Sequence, residues 1–210
     1  MKEEEIIHTS EEKIYEQSIE RKYRNYKWVM YLFIGGVAFM FLTITFYYLL
    51  EHWGTKGIKL KILPIFYWNT LILIASSYVI KLTKKYFRND NYLSYKTSLL
   101  LVLGSGILLL FGQMAGWLAM YKGGIMQNSH EAAYFFTIFG LYALYSFGAI
   151  IFLAFFTFKS NKFLHDYATS DVYFTDPIVR HQLNLFSLFW YALGVIWIYL
   201  IFFFMLVWRY

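Results

Sequence analysis

Ionisable side chains are missing from five long stretches of this sequence, and cysteine is missing from all of it. Of its 210 residues 15% are charged and 59% are apolar, whereas charged residues make up about a quarter of an ordinary soluble domain. Without cysteine the chain can form neither a disulfide nor a thiolate metal site. The composition therefore argues against a soluble domain and against a disulfide-stabilised one.

The five stretches without Asp, Glu, Lys or Arg are 23, 19, 25, 27 and 27 residues long. Because an α-helix rises about 1.5 Å per residue, each stretch can cross the roughly 30 Å hydrocarbon layer of a bilayer. A porin-like barrel would instead need segments of about ten residues that alternate apolar and polar side chains. The sequence thus predicts an all-α fold, a polytopic transmembrane bundle of five helices. The predicted spans are about residues 28–50, 62–80, 97–121, 132–158 and 182–208.

The placement of the basic residues predicts how the bundle is oriented. Of the 19 Lys and Arg, 14 lie in three segments that alternate along the chain, namely the amino-terminal tail, the second loop and the fourth loop. Because basic residues concentrate on the cytoplasmic side, this pattern predicts N-in and C-out. Residues 1–27 are then a charged cytoplasmic tail, and residues 28–210 form a five-helix membrane domain. The net charge of +6 is assigned to the membrane surface, and no nucleic-acid partner is predicted.

Outside the spans, short signals predict local structure. Thr9 and Glu12 form a capping-box pattern, which predicts that a helix opens in the tail and runs into the membrane; a solvated extension is the other interpretation. The Asn-Asp-Asn run at 89–91 and the glycine pair at 123–124 predict turns between antiparallel helices. The stretch 159–181 either docks a partner or connects two helices.

Chemistry that needs ionisable groups inside the membrane has no residues to perform it in these spans. Proton pumping and ion-coupled transport require such groups. All five histidines lie outside the spans or at their ends, so a haem held within the bundle is not expected. His52 and His130 share a predicted face, which leaves a weak metal site open beside the simpler interpretation of two solvated imidazoles. Since no nucleophile elbow, Walker loop or dinucleotide fingerprint is present, we predict no catalytic residue, metal or cofactor in this chain.

Small and neutral polar residues inside the spans predict contacts between helices. Gly112 and Gly116 form a GxxxG pattern, which permits a second helix to cross closely. Asn69, Thr70 and Gln113 are neutral and suit hydrogen bonds from one helix to another.

Four spans carry motifs whose order along the chain is informative. The second span contains Pro64, the pair Asn69-Thr70 and a Ser-Ser pair, and the last span has two tryptophans seven residues apart. Taken in order, the motifs resemble subunit III of the haem-copper (cytochrome c and quinol) oxidases over about residues 28–208, and the five-helix length resembles the shorter bacterial members. The family-motif positions, for which we predict packing roles, are Pro64, Asn69, Thr70, Gly106, Gln113, Trp117 and Gly140.

The departures from the family pattern share one direction. Where the family carries ionisable side chains within the membrane, this chain carries neutral ones, which indicates a divergent member. A role that the family gives to those side chains, such as supporting proton uptake by a neighbouring subunit, is therefore not carried over. These positions are Val37 (in the pair Gly36-Val37, where the family has Ser-Glu), Gly116, Tyr142, Tyr145, Asn184, Tyr191 and Gly194.

The resemblance implies an accessory, non-redox subunit of a respiratory terminal oxidase in the bacterial cytoplasmic (inner) membrane. Such a subunit packs against the catalytic subunit I, contacts other oxidase subunits or a respiratory supercomplex, and supports aerobic electron transport, with haem and copper in its partners. It also binds structural phospholipid, for which Trp190, Tyr191 and Trp197 are the predicted contacts, although a tryptophan packed in the core is the other interpretation. Two further functions stay open: an accessory protein of nitric oxide reductase type, and a small transporter for an apolar or aromatic solute.

Overall fold

The structure, a computed structural model, describes residues 2–51, 64–122, 130–163 and 172–209, without the side chains of 2–13, 15, 16, 130–132 and 207–209. Almost all described residues are helical and none of them forms a strand, which confirms the predicted all-α fold. By length and composition, five helices can cross a membrane, so the chain is a multi-pass membrane protein. The helices are α1 (Lys2–Glu51), α2 (Pro64–Arg88), α3 (Tyr92–Lys122), α4 (His130–Phe163) and α5 (Pro177–Arg209).

The helices extend beyond the charge-free stretches that predicted them. Helix α1 begins at Lys2, so the start predicted at Thr9 is wrong. Lys and Glu are good helix formers, and the tail continues the membrane helix outward without needing a cap at Thr9. Helix α2 likewise continues to Arg88, because a helix can carry charged side chains once it has left the hydrocarbon layer. The glycine pair at 123–124 lies outside the described residues.

The turn between α2 and α3 forms where the Asn-Asp-Asn run predicted it. Asp90 has a φ of 51°, in the left-handed region that ends many helices. The Asn91 amide donates to the Tyr86 carbonyl at 3.0 Å, which closes the end of α2. The Asn91 side-chain oxygen then accepts from the Ser94 amide at 3.1 Å and caps the start of α3. The pair Asp90-Asn91 thus ends α2 and begins α3.

The described end of the 159–181 stretch is built into the bundle. Asp176 caps α5, because its Oδ1 accepts from the Ile178 amide at 2.7 Å and Pro177 occupies the first helical position. The Tyr173 hydroxyl lies 3.2 Å from that of Tyr95 and also hydrogen-bonds Ser160. Burial raises the pKa of the Tyr173 hydroxyl.

Helix α5 lies at the centre of the bundle. It packs against α1, α2 and α4, while α2 and α3 form a tight antiparallel hairpin and α3 packs on α4. In the most apolar part of α5 56% of the residues are buried inside the chain, but in α1 the share is 11%. The residues most shielded from the surroundings therefore project from α5 and the helices around it.

Candidate functional site

The two tryptophans of the last span attach α5 to α2. Trp190 and Trp197 are seven residues apart, which places their rings on one face of α5 about two turns from each other. The Trp190 indole N–H donates to Ser76 Oγ at 3.1 Å, and that of Trp197 donates to Thr70 Oγ1 at 2.9 Å. Residues of the second and last spans that carry the family resemblance therefore bond to each other.

Both hydroxyl groups in these bonds are satisfied twice. Ser76 Oγ donates to the Leu73 carbonyl at 3.0 Å, and Thr70 Oγ1 donates to the Phe66 carbonyl at 3.0 Å. Each hydroxyl thus bonds its own helix as donor and accepts the indole of α5 with a free lone pair. Hydrogen bonds between membrane helices contribute about 0.6 kcal/mol each on average. These two bonds therefore set the register between α2 and α5 more than they add to the stability of the bundle.

Glycines on α3 allow α2 to approach closely, as the GxxxG pattern predicted. A Cβ atom added to Gly112 would lie 2.0 Å from Asn69 Oδ1, and one added to Gly116 would lie 2.8 Å from the Phe66 ring. Nearer the start of α3, a Cβ added to Gly106 would lie 2.9 Å from Ile150 of α4 and 3.1 Å from the Trp190 ring of α5. Any larger residue at Gly112 would displace Asn69.

Two buried amides lie where α2, α3 and α4 meet. Gln113 is 3% exposed and its Nε2 donates to Ser146 Oγ at 3.4 Å. Asn69 is 1% exposed, and its amide nitrogen and oxygen have no hydrogen-bond partner among the described residues.

The residues that form these hydrogen bonds, close approaches and buried amides are together called the interior seam. The seam comprises Asn69, Thr70, Ser76, Gly106, Gly112, Gln113, Ser146, Trp190 and Trp197.

The remaining motif residues lie beside the seam. Trp117 is half-buried, and its ring centroid lies 5.3 Å from that of Phe136. A Cβ added to Gly140 would lie 3.7 Å from the Trp117 ring. These contacts join α3 to α4. Pro64 is exposed and is the first residue of α2, a position that suits proline because its missing N–H has no helical partner there.

The predicted lipid contacts have different surroundings. Trp190 and Trp197 are 1% and 0% exposed, so both rings lie inside the chain, where they contact other helices. Tyr191 is 36% exposed and faces a pocket at the amino-terminal end of α5. Lipid contact by these three residues stays a prediction.

Two tyrosines of α4, Tyr142 and Tyr145, lie against α5. The Tyr142 hydroxyl donates to the Leu193 carbonyl at 3.2 Å, and its ring packs 4.8 Å from that of Trp197. The Tyr145 ring meets Phe189 edge-on at 4.8 Å. Both tyrosines thus contact α5 through ring packing, and Tyr142 adds a hydrogen bond.

Metal ligation finds no support in the part of the chain that the structure describes. Within it, no three His, Asp or Glu side chains are grouped so that they could hold a metal ion. His52 and the side chain of His130 lie outside the described residues, so the weak site considered for them is untested.

A basic pocket beside the tail helix was not predicted from the sequence. Arg21, Arg24 and Lys27 line a pocket together with Lys84 of α2. The available sequence signal was the spacing of these three tail residues, which lie three positions apart and therefore along one side of a helix.

No family model and no curated protein matches this chain.

Proposed function

We propose that this chain is an accessory, non-redox subunit III of a respiratory terminal oxidase in the bacterial cytoplasmic membrane, with its amino terminus inside. The observation that carries the proposal is the interior seam. Motif residues that are scattered over three spans of the sequence meet there, with Trp190 on Ser76 and Trp197 on Thr70. Residues with the packing roles predicted for these motifs are expected to come together in this way.

The chemistry of the seam agrees with a packing role. Apart from its glycines, the seam consists of amide, hydroxyl and indole side chains. None of these groups changes charge in the physiological pH range. Such groups hold helices in register but do not carry a proton or an electron across a membrane. The proposed subunit therefore leaves the redox chemistry to haem and copper in subunit I and its neighbours.

The outer surface of the bundle is compatible with a partner or with lipid. Large apolar side chains such as Phe39, Leu118 and Phe155 are 71%, 53% and 72% exposed. In a bilayer they are covered either by acyl chains or by another membrane protein. The proposal assigns part of this surface to direct contact with subunit I and part to structural phospholipid.

Co-purification tests the proposal. A tagged chain, extracted from native membranes in a mild detergent, is expected to bring down subunits I and II of a haem-containing oxidase in a fixed ratio. The reduced-minus-oxidised absorption spectrum of the preparation reports the haem. A monodisperse monomer without haem would refute the proposal.

The identity of the haem protein separates the main proposal from its closest alternative. A nitric-oxide-reductase-type accessory protein would co-purify with a reductase that consumes nitric oxide, whereas the proposed subunit co-purifies with an enzyme that consumes oxygen. Measuring both activities on the purified complex decides between them. Solute flux through vesicles that contain the chain alone would instead favour the small transporter.

A further inference from the structure

A pocket of about 770 Å³ lies at the end of the bundle where the amino-terminal half of α1 meets α5. Three basic residues of α1 line it, Arg21, Arg24 and Lys27. They follow one another at intervals of three, so they project from the same side of the helix. Lys84, near the carboxyl-terminal end of α2, also lines the pocket.

The pocket is strongly cationic. Arg21, Arg24, Lys27 and Lys84 carry four positive charges, whereas Glu20 is the one carboxylate among the described residues that line the pocket. Like charges gathered in one cavity repel each other, and a bound anion would relieve that repulsion. Arginine and lysine are also the residues that bind phosphate oxygens through charge-assisted hydrogen bonds.

Aromatic contacts hold the walls of the pocket together. The Tyr23 ring of α1 stacks on His181 of α5 with centroids 4.9 Å apart and planes 9° from parallel. Lys27 Nζ lies 5.8 Å from the centroid of the Tyr31 ring one turn further along α1. The stack of Tyr23 on His181 thus joins the segment of α1 that carries the cations to α5.

The position of the pocket along the helices indicates the kind of anion. The charge-free stretches begin at Trp28 in α1 and at Gln182 in α5, so the cations lie just outside the predicted hydrocarbon layer. Leu185, Leu188 and Tyr191 line the pocket on the side that enters this layer. A phospholipid has the same arrangement, with phosphate at the boundary and acyl chains inward, and basic pockets between membrane helices bind anionic headgroups.

We infer that this pocket binds the phosphate group of an anionic phospholipid. Arg24 and Lys84 approach the phosphate from two helices, and Leu188 and Tyr191 contact the first carbons of an acyl chain. The bound lipid joins α1 to α2 and α5 at this end of the bundle. The inference rests on the proposed function in that it specifies a site for the structural phospholipid, but it is tested on the isolated chain, so its failure is distinct from a failure to co-purify with an oxidase.

Native mass spectrometry of the purified full-length chain tests the inference. Phosphatidylglycerol and phosphatidylcholine with the same acyl chains are titrated in turn against the wild type. The pocket variant replaces Arg24→Gln and Lys84→Gln. The control variant replaces Lys22→Gln and Lys85→Gln, sequence neighbours that do not line the pocket, so that both variants have the same net charge.

Each lost cation is worth about 1 kcal/mol, so the pocket variant is expected to bind phosphatidylglycerol about 30-fold more weakly. Phosphatidylcholine binding should fall much less, because its choline cation cancels the charge of its phosphate. The control variant is expected to bind both lipids as the wild type does. Equal binding of the two lipids by the wild type, or an equal loss in both variants, would overturn the inference. Circular dichroism of each variant verifies that it is folded.

Inorganic phosphate distinguishes a lipid from a soluble ligand. If phosphate alone stabilises the wild type but not the pocket variant, and phosphatidylglycerol adds nothing, the ligand is a free phosphate and the lipid assignment is wrong. If only phosphatidylglycerol stabilises the wild type, the lipid assignment is supported. The thermal midpoint of the chain in detergent provides this readout.

Discussion

Helices α5 and α1 are both long and apolar, yet the chain uses them differently. In its most apolar part α5 has 56% of its residues buried inside the chain and α1 has 11%. Trp190 and Trp197 of α5 bond to α2, whereas Trp28 of α1 is 66% exposed. Hydropathy cannot separate the two helices, because lipid and protein interior are equally apolar.

The difference teaches where the specific contacts of this bundle lie. Within its membrane span, α1 has three side chains that are only 1% or 2% exposed, namely Phe41, Thr45 and Tyr48. The Thr45 hydroxyl lies 2.5 Å from that of Tyr199 on α5. Most of the remaining surface of α1 is available to lipid or to a partner. Substitutions in α5 and its neighbours should therefore disturb the fold, and the same substitutions in α1 should not.

The largest expected effect follows from enlarging a seam glycine. Gly112→Leu would force a side chain into the space of Asn69, so we expect the free energy of unfolding to fall by about 3 kcal/mol. The counterpart in α1 is Gly36→Leu, where an added Cβ has no atom of the described residues within 4 Å. Thermal unfolding in detergent, followed by circular dichroism, compares the two. Equal losses would mean that α1 is packed as tightly as α3.

A smaller effect is expected when an indole is replaced by a phenyl ring. Trp197→Phe removes the N–H that bonds Thr70 and leaves unfilled space around a ring that is 0% exposed, which should cost about 2 kcal/mol. Trp28→Phe is the matched change in α1 and should alter stability by less than about 0.5 kcal/mol. The same unfolding measurement applies. A greater loss for Trp28→Phe would reverse the comparison between the helices.

The smallest effect concerns the attachment of α1 itself. Thr45→Val removes the hydroxyl that meets Tyr199 and should lower the free energy of unfolding by about 0.6 kcal/mol. Thr43→Val is the control, because the exposed Thr43 hydroxyl bonds only the Phe39 carbonyl of its own helix. The two variants are compared by their unfolding midpoints. A loss above about 2 kcal/mol for Thr45→Val would show that this single bond holds α1 in place.

The number of helices, their order and the α2–α3 turn could be predicted from the sequence. Charge-free length and the Asn-Asp-Asn run are local signals, and lipid makes both of them strong. The GxxxG pattern at Gly112 and Gly116 also predicted a close crossing, but it could not say that α2 is the helix that crosses. That choice depends on Asn69 and Phe66, which are distant along the chain.

The partners of the seam and the basic pocket could not be predicted from the sequence in the same way. The bond from Trp197 to Thr70 joins residues separated by 127 positions, and no local pattern records that separation. The pocket requires Lys84 to face Arg24 across two helices. The charges of the tail and the second loop predict the same side of the membrane for both, but no local pattern predicts that their side chains line one pocket.

The most direct test of the proposed function compares an oxidase with and without this chain. The proposal predicts that membranes lacking the chain keep the reduced-minus-oxidised haem spectrum of the enzyme and its initial rate of oxygen consumption, but lose activity sooner during turnover. Restoring the wild-type chain should restore the lifetime of the enzyme. An unchanged lifetime, or disappearance of the catalytic haem spectrum, would contradict an accessory role in packing.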